Sequence, residues 1–300
     1  MSEAQRLTFA LKGRWFGSYG QAFCPAHENT RSPALTLADG EDGRLLAKCH
    51  SGCDFRDVAA ALRRAGLIEG RAPSSGPAGP RRAAPNANAL IERARRARYA
   101  SEIWRDALPI AGTPAEAYLR SRGITCDLPP TLRYATACKV PGSGTPLPAL
   151  VARVDGSPAF AVHRTYVRSD GTGKATVTPS KAMLGECRGG GVHLSTCSYT
   201  RDELPLVVCE GIENGLSLLS GFLNEPARVV AALSTSGVGG FVLPRTPGKL
   251  VVASDNDPAG RGAAAKLMER AARLGWRVFD MTPPDSRDWN DLLRAGVCQV

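Results

Sequence analysis

Side chains of metal-binding type stand in two short groups near the start of the chain. Cys24 and His27 flank Pro-Ala, and Cys53 closes a second group that contains Cys49 and His50. The segment between them, ALTLADGEDGRLLAKC, has two apolar runs around a turn, which predicts a hairpin that brings the groups together. We expect a Zn²⁺ site with Cys24, His27 and Cys53 as ligands. The fourth is Cys49 or His50, and Cys49 is favoured as the better donor. Four protein ligands make such a zinc structural.

Acidic residues follow apolar runs in the last third of the chain. Glu210 ends LPLVVCE, Asp255 ends KLVVASD with Asp257 two residues later, and Asp288 comes after RVFDMTP. Continuous apolar runs predict parallel strands buried on both faces, and sites in such sheets form beyond the carboxyl ends of the strands. Carboxylates that converge there repel unless a cation, Mg²⁺ or Mn²⁺, lies between them. The alternative is that each acid is a turn or helix cap, as Asp257 before Pro-Ala-Gly would be.

Composition and pattern divide the chain into four segments. These are a zinc-binding module (1–68), a flexible linker rich in Pro, Gly, Ser and Ala (69–88), a basic α+β subdomain (89–200) and an α/β domain (201–300) with a mostly parallel sheet between helices. Within the basic subdomain, residues 113–122 predict a helix and residues 147–185 a small antiparallel sheet.

The charge balance favours polyanionic partners. The net charge is +10 and the sequence pI is about 9.4, which favours nucleic acid as a partner; the alternative is a basic but ordinary enzyme. Arg93, Arg95, Arg96 and Arg98 share one predicted helix, which either contacts phosphates or presents a solvated face. Nine cysteines and no secretory signal argue against a disulfide framework, and no apolar run is long enough to span a bilayer. The expected location is the cytoplasm.

The amino-terminal cluster resembles the zinc modules of bacterial and phage primases. The resemblance rests on CPAHENTRSPALTL, with its Cys-Pro-x-His group, and on KCHSGCDFRDVAAAL, where the second ligand group runs into a helix. It implies a CHC2-type zinc-ribbon module that grips single-stranded template. Arg31, Lys48 and Arg56 are then candidate template contacts, and solvated surface charge is the alternative for each.

The acidic segments resemble the Toprim domain of primases, topoisomerases and some nucleases. The resemblance rests on Glu-Gly, then Asp-x-Asp-x-Ala-Gly, then Asp-x-Asn-Asp-Leu-Leu, each after a predicted strand. It implies that Glu210, Asp255 and Asp257 are catalytic, with Glu210 as an acid/base or metal-linked residue. It also implies that these three and Asp288 bind Mg²⁺.

Two positions depart from the pattern of replicative primases. Asn214 stands where that family has a further acid, and Asn290 stands where it often has Asp. Glu213 is a nearby substitute for the missing acid, but we expect it to be a helix-surface residue. These departures leave the number of bound metals open.

The segment FAVHRTYVRSDGTGKATVTPSKAMLGE resembles the basic segment that precedes Toprim in primases. The resemblance implies that Arg164, Lys174 and Lys181, together with His163, hold template backbone or the triphosphate of a nucleotide. The alternative is a plain surface hairpin.

The resemblances cover residues 20–68 and 160–295 and are closest to short primase-like proteins of phages, plasmids and other mobile elements. They imply a DNA primase that makes short RNA primers on single-stranded DNA from NTPs. No G-x-x-x-x-G-K-[ST] loop is present, so a replication helicase would be a separately encoded partner. The alternatives are a Toprim nuclease and a catalytically weak nucleic-acid-binding factor that assists a helicase.

Overall fold

The computed structural model describes residues 1–27, 33–40, 44–68, 87–196, 203–284 and 287–297. The chain divides into two compact units, Met1–Pro85 and Asn86–Val300. The predicted linker lies outside the described residues except for its last two, and so do Arg31 and the predicted domain boundary at residues 200 and 201. Among the helices of the described ranges, none has both the length and the apolar character that a bilayer span requires.

The first unit is an antiparallel sheet with a helix before and after it. Its elements are α1 (Glu3–Ala10), β1 (Arg14–Trp15), β2 (Gly20–Ala22), β3 (Leu35–Asp39), β4 (Leu45–Cys49) and α2 (Phe55–Arg64). The strands follow the order β1-β2-β3-β4, and β3 and β4 form the predicted hairpin with Leu35 opposite Cys49. Leu7 of α1 and Leu62 of α2 are buried in one core with Leu35. This core fixes the two ends of the hairpin near which the cysteines lie.

The second unit begins with a long helix and an antiparallel sheet. Its first elements are α3 (Ala87–Asp106), β5 (Leu108–Pro109), α4 (Pro114–Ser121), β6 (Leu132–Lys139), β7 (Pro146–Val154), β8 (Ala161–Tyr166) and β9 (Lys181–Leu184). The sheet order is β5-β6-β7-β8-β9. Strands β7, β8 and β9 are the antiparallel sheet predicted from the sequence. Helix α4 begins as predicted, with Thr113 accepting a hydrogen bond from the Glu116 N–H and Pro114 in the first turn.

The remainder of the unit is an α/β layer. Its elements are β10 (Val192–His193), β11 (Leu206–Cys209), α5 (Ile212–Gly221), β12 (Arg228–Ala231), α6 (Thr235–Gly240), β13 (Lys249–Ala253), α7 (Pro258–Arg273), β14 (Arg277–Asp280) and α8 (Trp289–Arg294). The strand order is β10-β12-β11-β13-β14, and of these described strands only the edge strand β10 runs antiparallel to its neighbour. This is the mostly parallel sheet flanked by helices that the apolar runs predict.

Apolar side chains pack on both faces of this parallel sheet. On one face, Ile212 of α5 shares a core with Tyr118 of α4 and Leu150 of β7, so the two sheets of the second unit are joined through a common core. On the other face, Leu267 of α7 packs with Val252 of β13. The loops that leave β11 and β13 therefore start from strands that are held on both sides.

Candidate functional site

The four residues expected to bind zinc lie together in the first unit. The ligand atoms of Cys24, His27, Cys49 and Cys53 are all within 4.8 Å of one another. The Nδ1 atom of His27 is 3.1 Å from the Cys53 Sγ atom and 3.8 Å from the Cys49 Sγ atom. Ligands of a tetrahedral zinc are ~3.5 Å apart. Gly52 adopts a φ of 97°, which lets the chain turn back so that Cys53 reaches the cluster.

His50 has a different environment from Cys49. Its Nε2 atom is 2.8 Å from the Thr36 hydroxyl on the exposed side of the hairpin. Cys49 is buried and belongs to the ligand cluster. Of the two alternatives for the fourth ligand, the structure places Cys49 in the cluster and His50 outside it. The resulting donor set of three thiols and one imidazole suits Zn²⁺.

Burial makes the Cys24 thiol a poor anion without a cation. It raises the pKa of Cys24 to about 12, and neighbouring Cys49 adds to that increase. Thiols ligate metals as thiolates, so zinc binding here would release protons and contribute free energy to folding of the first unit.

The acids of the second unit converge because β11 and β13 are adjacent and parallel. Cys209 ends β11 and pairs with Ala253, which ends β13. Glu210 and Asp255 therefore leave the sheet side by side, as expected at the carboxyl edge. Together with Asp288 they line one pocket of about 210 Å³. The rest of the pocket is lined by Arg122, His163, Lys174, Lys181, Gly211, Ile212, Glu213, Asn214 and Leu233.

Asp257 and Asp288 are helix caps as well as members of the acidic region. Asp257 accepts a hydrogen bond from the Gly260 N–H at 2.6 Å, at the start of α7. Asp288 accepts one from the Asp291 N–H at 2.7 Å, at the start of α8. A Cβ atom on Gly260 would lie 2.4 Å from the Asp255 carbonyl oxygen, so glycine is needed for α7 to begin this close to β13.

Burial and neighbouring carboxylates raise the pKa of two acids, Glu210 and Asp255. Burial, with Asp255 and Asp257 nearby, raises the pKa of Glu210 to about 7. Burial, with Asp288 and Asp257 nearby, raises the pKa of Asp255 to about 6. Asp257 therefore raises the pKa of both Glu210 and Asp255, although it does not line the pocket itself. A divalent cation would relieve the repulsion, and this donor set of carboxylate oxygens fits Mg²⁺ or Mn²⁺.

The two asparagines that depart from the primase pattern have different environments. Asn214 donates a hydrogen bond from its Nδ2 atom to Asp255 Oδ1 at 2.7 Å, so an amide supports the acid it stands beside. Asn290 is fully buried and donates to the Arg122 carbonyl and to the Ser217 hydroxyl, each at 2.9 Å. Asn290 thus holds α8 against neighbouring segments and does not line the pocket.

Glu213 was expected on a helix surface, and that expectation is wrong. Its side chain is only 6% exposed, and it faces the pocket from the first turn of α5. It accepts a hydrogen bond from the Tyr118 hydroxyl at 2.8 Å and pairs with Lys174 at 3.1 Å and Lys181 at 3.0 Å. Burial by itself would raise the pKa of Glu213, but the two ammonium groups and the Tyr118 hydroxyl hold it well below its usual value.

The basic residues predicted from the middle segment do not share one environment. Lys174 and Lys181 lie in the pocket. Arg164 points to the other face of β8 and donates to the Lys139 carbonyl at 3.1 Å, so any contact it makes with nucleic acid would not involve this pocket. His163 does line the pocket, but burial together with Lys181 lowers its pKa to about 3. It is neutral near pH 7 and does not fit the cationic role expected for it.

Two further residues of the pocket surroundings carry no signal in the sequence. Arg122 follows α4 and lines the pocket, and Tyr118 of α4 reaches Glu213 from 95 residues away. No local pattern marks either residue. Of the four α3 arginines named in the sequence analysis, three pair with carboxylates: Arg93 with Glu186, Arg95 with Glu92 and Arg98 with Glu102. These pairs leave both interpretations of the helix open.

Two family models match the second unit. Residues 94–194 match a domain of unknown function (DUF7146), and residues 205–297 match the Toprim domain. The Toprim match spans every acid of the site, from Glu210 to Asp288. No protein of curated function matches the chain.

Several solved primase structures are similar to between 64% and 99% of the chain. The zinc-binding and RNA polymerase domains of the Aquifex aeolicus primase are 15% identical, with a TM-score of 0.41 over 99% of this chain and 80% of that one. The primase fragment of the bacteriophage T7 primase-helicase protein is 15% identical, with a TM-score of 0.36 over 64% and 69%. The RNA polymerase domain of Mycobacterium tuberculosis primase DnaG is 18% identical, with a TM-score of 0.31 over 69% and 73%. These TM-scores are below 0.5, so the Toprim domain and the geometry of the site, rather than these structures, bear on function.

Proposed function

We propose that this chain, whose residues 205–297 form a Toprim domain, is a primase-type nucleotidyltransferase that makes short RNA primers on single-stranded DNA from NTPs. The proposal rests on one observation above all. Three carboxylates, Glu210, Asp255 and Asp288, meet Lys174 and Lys181 in a single pocket at the carboxyl edge of the Toprim sheet. Phosphoryl transfer needs this combination, because the acids can hold divalent cations while cations of the protein hold phosphates.

Each group of the pocket has a proposed task. Glu210, Asp255 and Asp257 are the catalytic acids, and with Asp288 they would hold Mg²⁺ or Mn²⁺. The bound cation would neutralise charge on the attacking and leaving oxygens. Glu210 would act as an acid/base or as a metal-linked residue.

The cationic side of the pocket would receive the phosphates of the nucleotide. Glu213 compensates one of the two charges of Lys174 and Lys181, so this pair keeps a net positive charge. Arg122 adds a guanidinium to the same pocket. Positive side chains at this spacing suit a triphosphate or a template backbone.

The first unit offers a surface that suits single-stranded template. Lys48 lines a groove on the hairpin together with Leu46 and Phe55, whose side chains are 55% and 49% exposed. An exposed aromatic ring beside a cation is the combination on which unpaired bases stack and phosphates are neutralised. We propose template binding here, with structural zinc in the Cys24 cluster.

Primer synthesis from labelled NTPs on single-stranded DNA tests the proposal. The zinc-loaded full chain should make short products with Mg²⁺ or Mn²⁺, and the Asp255→Ala/Asp257→Ala variant should make none. Asp280→Ala is the matched control, because Asp280 is an exposed acid at the end of the neighbouring strand β14. Equal synthesis by the double variant and wild type would refute the proposed site.

The same assay separates the alternatives. A Toprim nuclease would degrade labelled DNA without NTPs and lose that activity in the double variant. A binding factor would retain single strands and do neither reaction. The position of Asn214 favours the binding factor as second candidate, because an amide there leaves one carboxylate fewer for metal. A separately encoded helicase is the proposed partner for either role.

A further inference from the structure

Glu213 is a buried acid of the pocket region that faces cations on several sides. Its Oε1 atom accepts from the Tyr118 hydroxyl at 2.8 Å and pairs with Lys174 at 3.1 Å, while its Oε2 atom pairs with Lys181 at 3.0 Å. Its three partners come from α4, from the segment between β8 and β9, and from the start of β9. A carboxylate fixed by three donors is a rigid anchor for flexible side chains such as lysine.

The held lysines lie beside acids that would attract them. Lys174 and Lys181 line the same pocket as Glu210 and Asp255, so their ammonium groups share one confined space with these carboxylates. Lysine is a flexible four-carbon chain with an ammonium group that turns readily toward any carboxylate in reach. An ammonium group that moved onto Glu210 or Asp255 would occupy the place of a divalent cation.

We propose that Glu213 is a positioning residue that holds the ammonium group of Lys181, together with that of Lys174, away from Glu210 and Asp255, so that these carboxylates stay available to a divalent cation. This inference rests on the proposed metal site. It assigns Glu213 a task different from metal ligation, since its oxygens are already engaged by Tyr118 and the two lysines.

A purely structural role makes a different prediction. If Glu213 only stabilised the fold through a buried ion pair, Glu213→Gln would lower the free energy of unfolding and leave the affinity for a divalent cation unchanged in the folded protein. If Glu213 positions the lysines, the same change frees Lys181 to compete with the cation. Removing Lys181 as well should then restore cation binding, which a structural role does not predict.

Direct Mn²⁺ binding is the test, measured as loss of the free Mn²⁺ electron paramagnetic resonance signal. The protein is the full chain loaded with zinc, since Mn²⁺ binds nitrogen and sulfur ligands less tightly than Zn²⁺ and does not displace it. Glu213→Gln should weaken Mn²⁺ binding about tenfold, the effect of one competing charge of roughly 1.4 kcal/mol. Glu213→Gln/Lys181→Met should return to within about threefold of wild type.

Two further variants complete the design. Glu269→Gln is the matched control, because Glu269 pairs with Arg273 on the exposed surface of α7, and it should bind Mn²⁺ like wild type. Lys181→Met in the wild-type background should change Mn²⁺ affinity by less than about threefold, because Glu213 already holds this lysine away. That variant tests the inference even if Glu213→Gln does not fold, since an unrestrained lysine would give about a tenfold gain on removal.

The outcomes are distinct. Unchanged Mn²⁺ affinity in folded Glu213→Gln, or no recovery in the double variant, would overturn the positioning role while leaving the proposed metal site intact. A wild-type protein that binds no Mn²⁺ would overturn both. Loss of affinity in the single variant and its recovery in the double variant would support the inference whether or not primer synthesis is observed.

Discussion

Neutralising one acid of the pocket should make the cation-free protein more stable. Asp255 is the best position, because burial and the neighbouring acids Asp288 and Asp257 raise its pKa to about 6. In Asp255→Asn the amide oxygen can still accept the hydrogen bond from Asn214. The variant therefore removes the negative charge and keeps the shape and the contact.

The sign and size follow from the shift in pKa. An acid whose pKa rises on folding opposes folding wherever it must be ionised, so its destabilising effect is complete above the folded pKa and absent below the unfolded one. Folding raises the pKa of Asp255 from 3.8 to about 6. At ~1.36 kcal/mol per pKa unit, the ionised side chain lowers the free energy of unfolding by about 3 kcal/mol at pH 8. At pH 5 roughly half of it remains. Asp255→Asn should gain these amounts in the free energy of unfolding.

Urea unfolding without divalent cations, followed by tryptophan fluorescence, measures this gain. Trp276 and Trp289 are buried in the second unit and report on the domain that carries the site. Asp280→Asn, at an exposed position, is the control and should have no effect. Saturating Mg²⁺ should erase the advantage of Asp255→Asn, because the cation stabilises only the wild-type site. A variant that is no more stable than wild type at pH 8 would refute the repulsion on which the metal site is inferred.

Three further outcomes are expected. Cys49→Ser should lose bound zinc while His50→Ala retains it, because the His50 ring is hydrogen-bonded to Thr36 and lies outside the ligand cluster. Atomic absorption measures the bound zinc, and the reverse result would exclude Cys49 as the fourth ligand. Mn²⁺ affinity should rise about tenfold from pH 6 to pH 8, because Glu210, with a pKa of about 7, must lose its proton; a flat titration would contradict this. Asn290→Asp should lower the free energy of unfolding, measured with urea, by about 2–4 kcal/mol, because it places a buried carboxylate against the Arg122 carbonyl. A variant as stable as wild type would show that this buried position tolerates the charge.

The acidic site was predictable because it depends on local patterns and a simple topological rule. Apolar runs identified β11 and β13, and parallel pairing brings the residues that follow such strands together. The zinc cluster was predictable for a similar reason, since the hairpin between its two groups fixes how they meet. In both cases the residues that matter lie directly beside the element that positions them.

The environments of Glu213 and Asn290 could not be predicted in this way. The partners of Glu213 are 95 residues away at Tyr118 and 32 residues away at Lys181, and Asn290 reaches the Arg122 carbonyl across 168 residues. Such contacts depend on how the antiparallel and parallel sheets share a core, which no local pattern encodes. A glutamate four residues after a strand end looks like any residue in the first turn of a surface helix.

The different environments of His163 and Arg164 do have a signal in the sequence. The two residues are neighbours in β8, and successive residues of a strand point to opposite faces of the sheet. They therefore cannot both serve the same pocket. A strand assigned to this segment is enough to show that the basic residues there divide between two surfaces, although it does not show which surface carries the acids.

Asp257 and Asp288 show that a helix cap and a site acid are compatible roles. Each uses one carboxylate oxygen, Oδ1, to accept the N–H bond that begins α7 or α8, and each still raises the pKa of Asp255 through its negative charge. The capping bond fixes the direction of the carboxylate, so the helix start orients the acid that a cation would need. Substitution distinguishes the capping role from the role in the site, because asparagine keeps the cap and removes the charge, whereas alanine removes both. The question of whether such an aspartate is structural or functional is answered by comparing these two changes, because the helix depends on the first property and the proposed chemistry on the second.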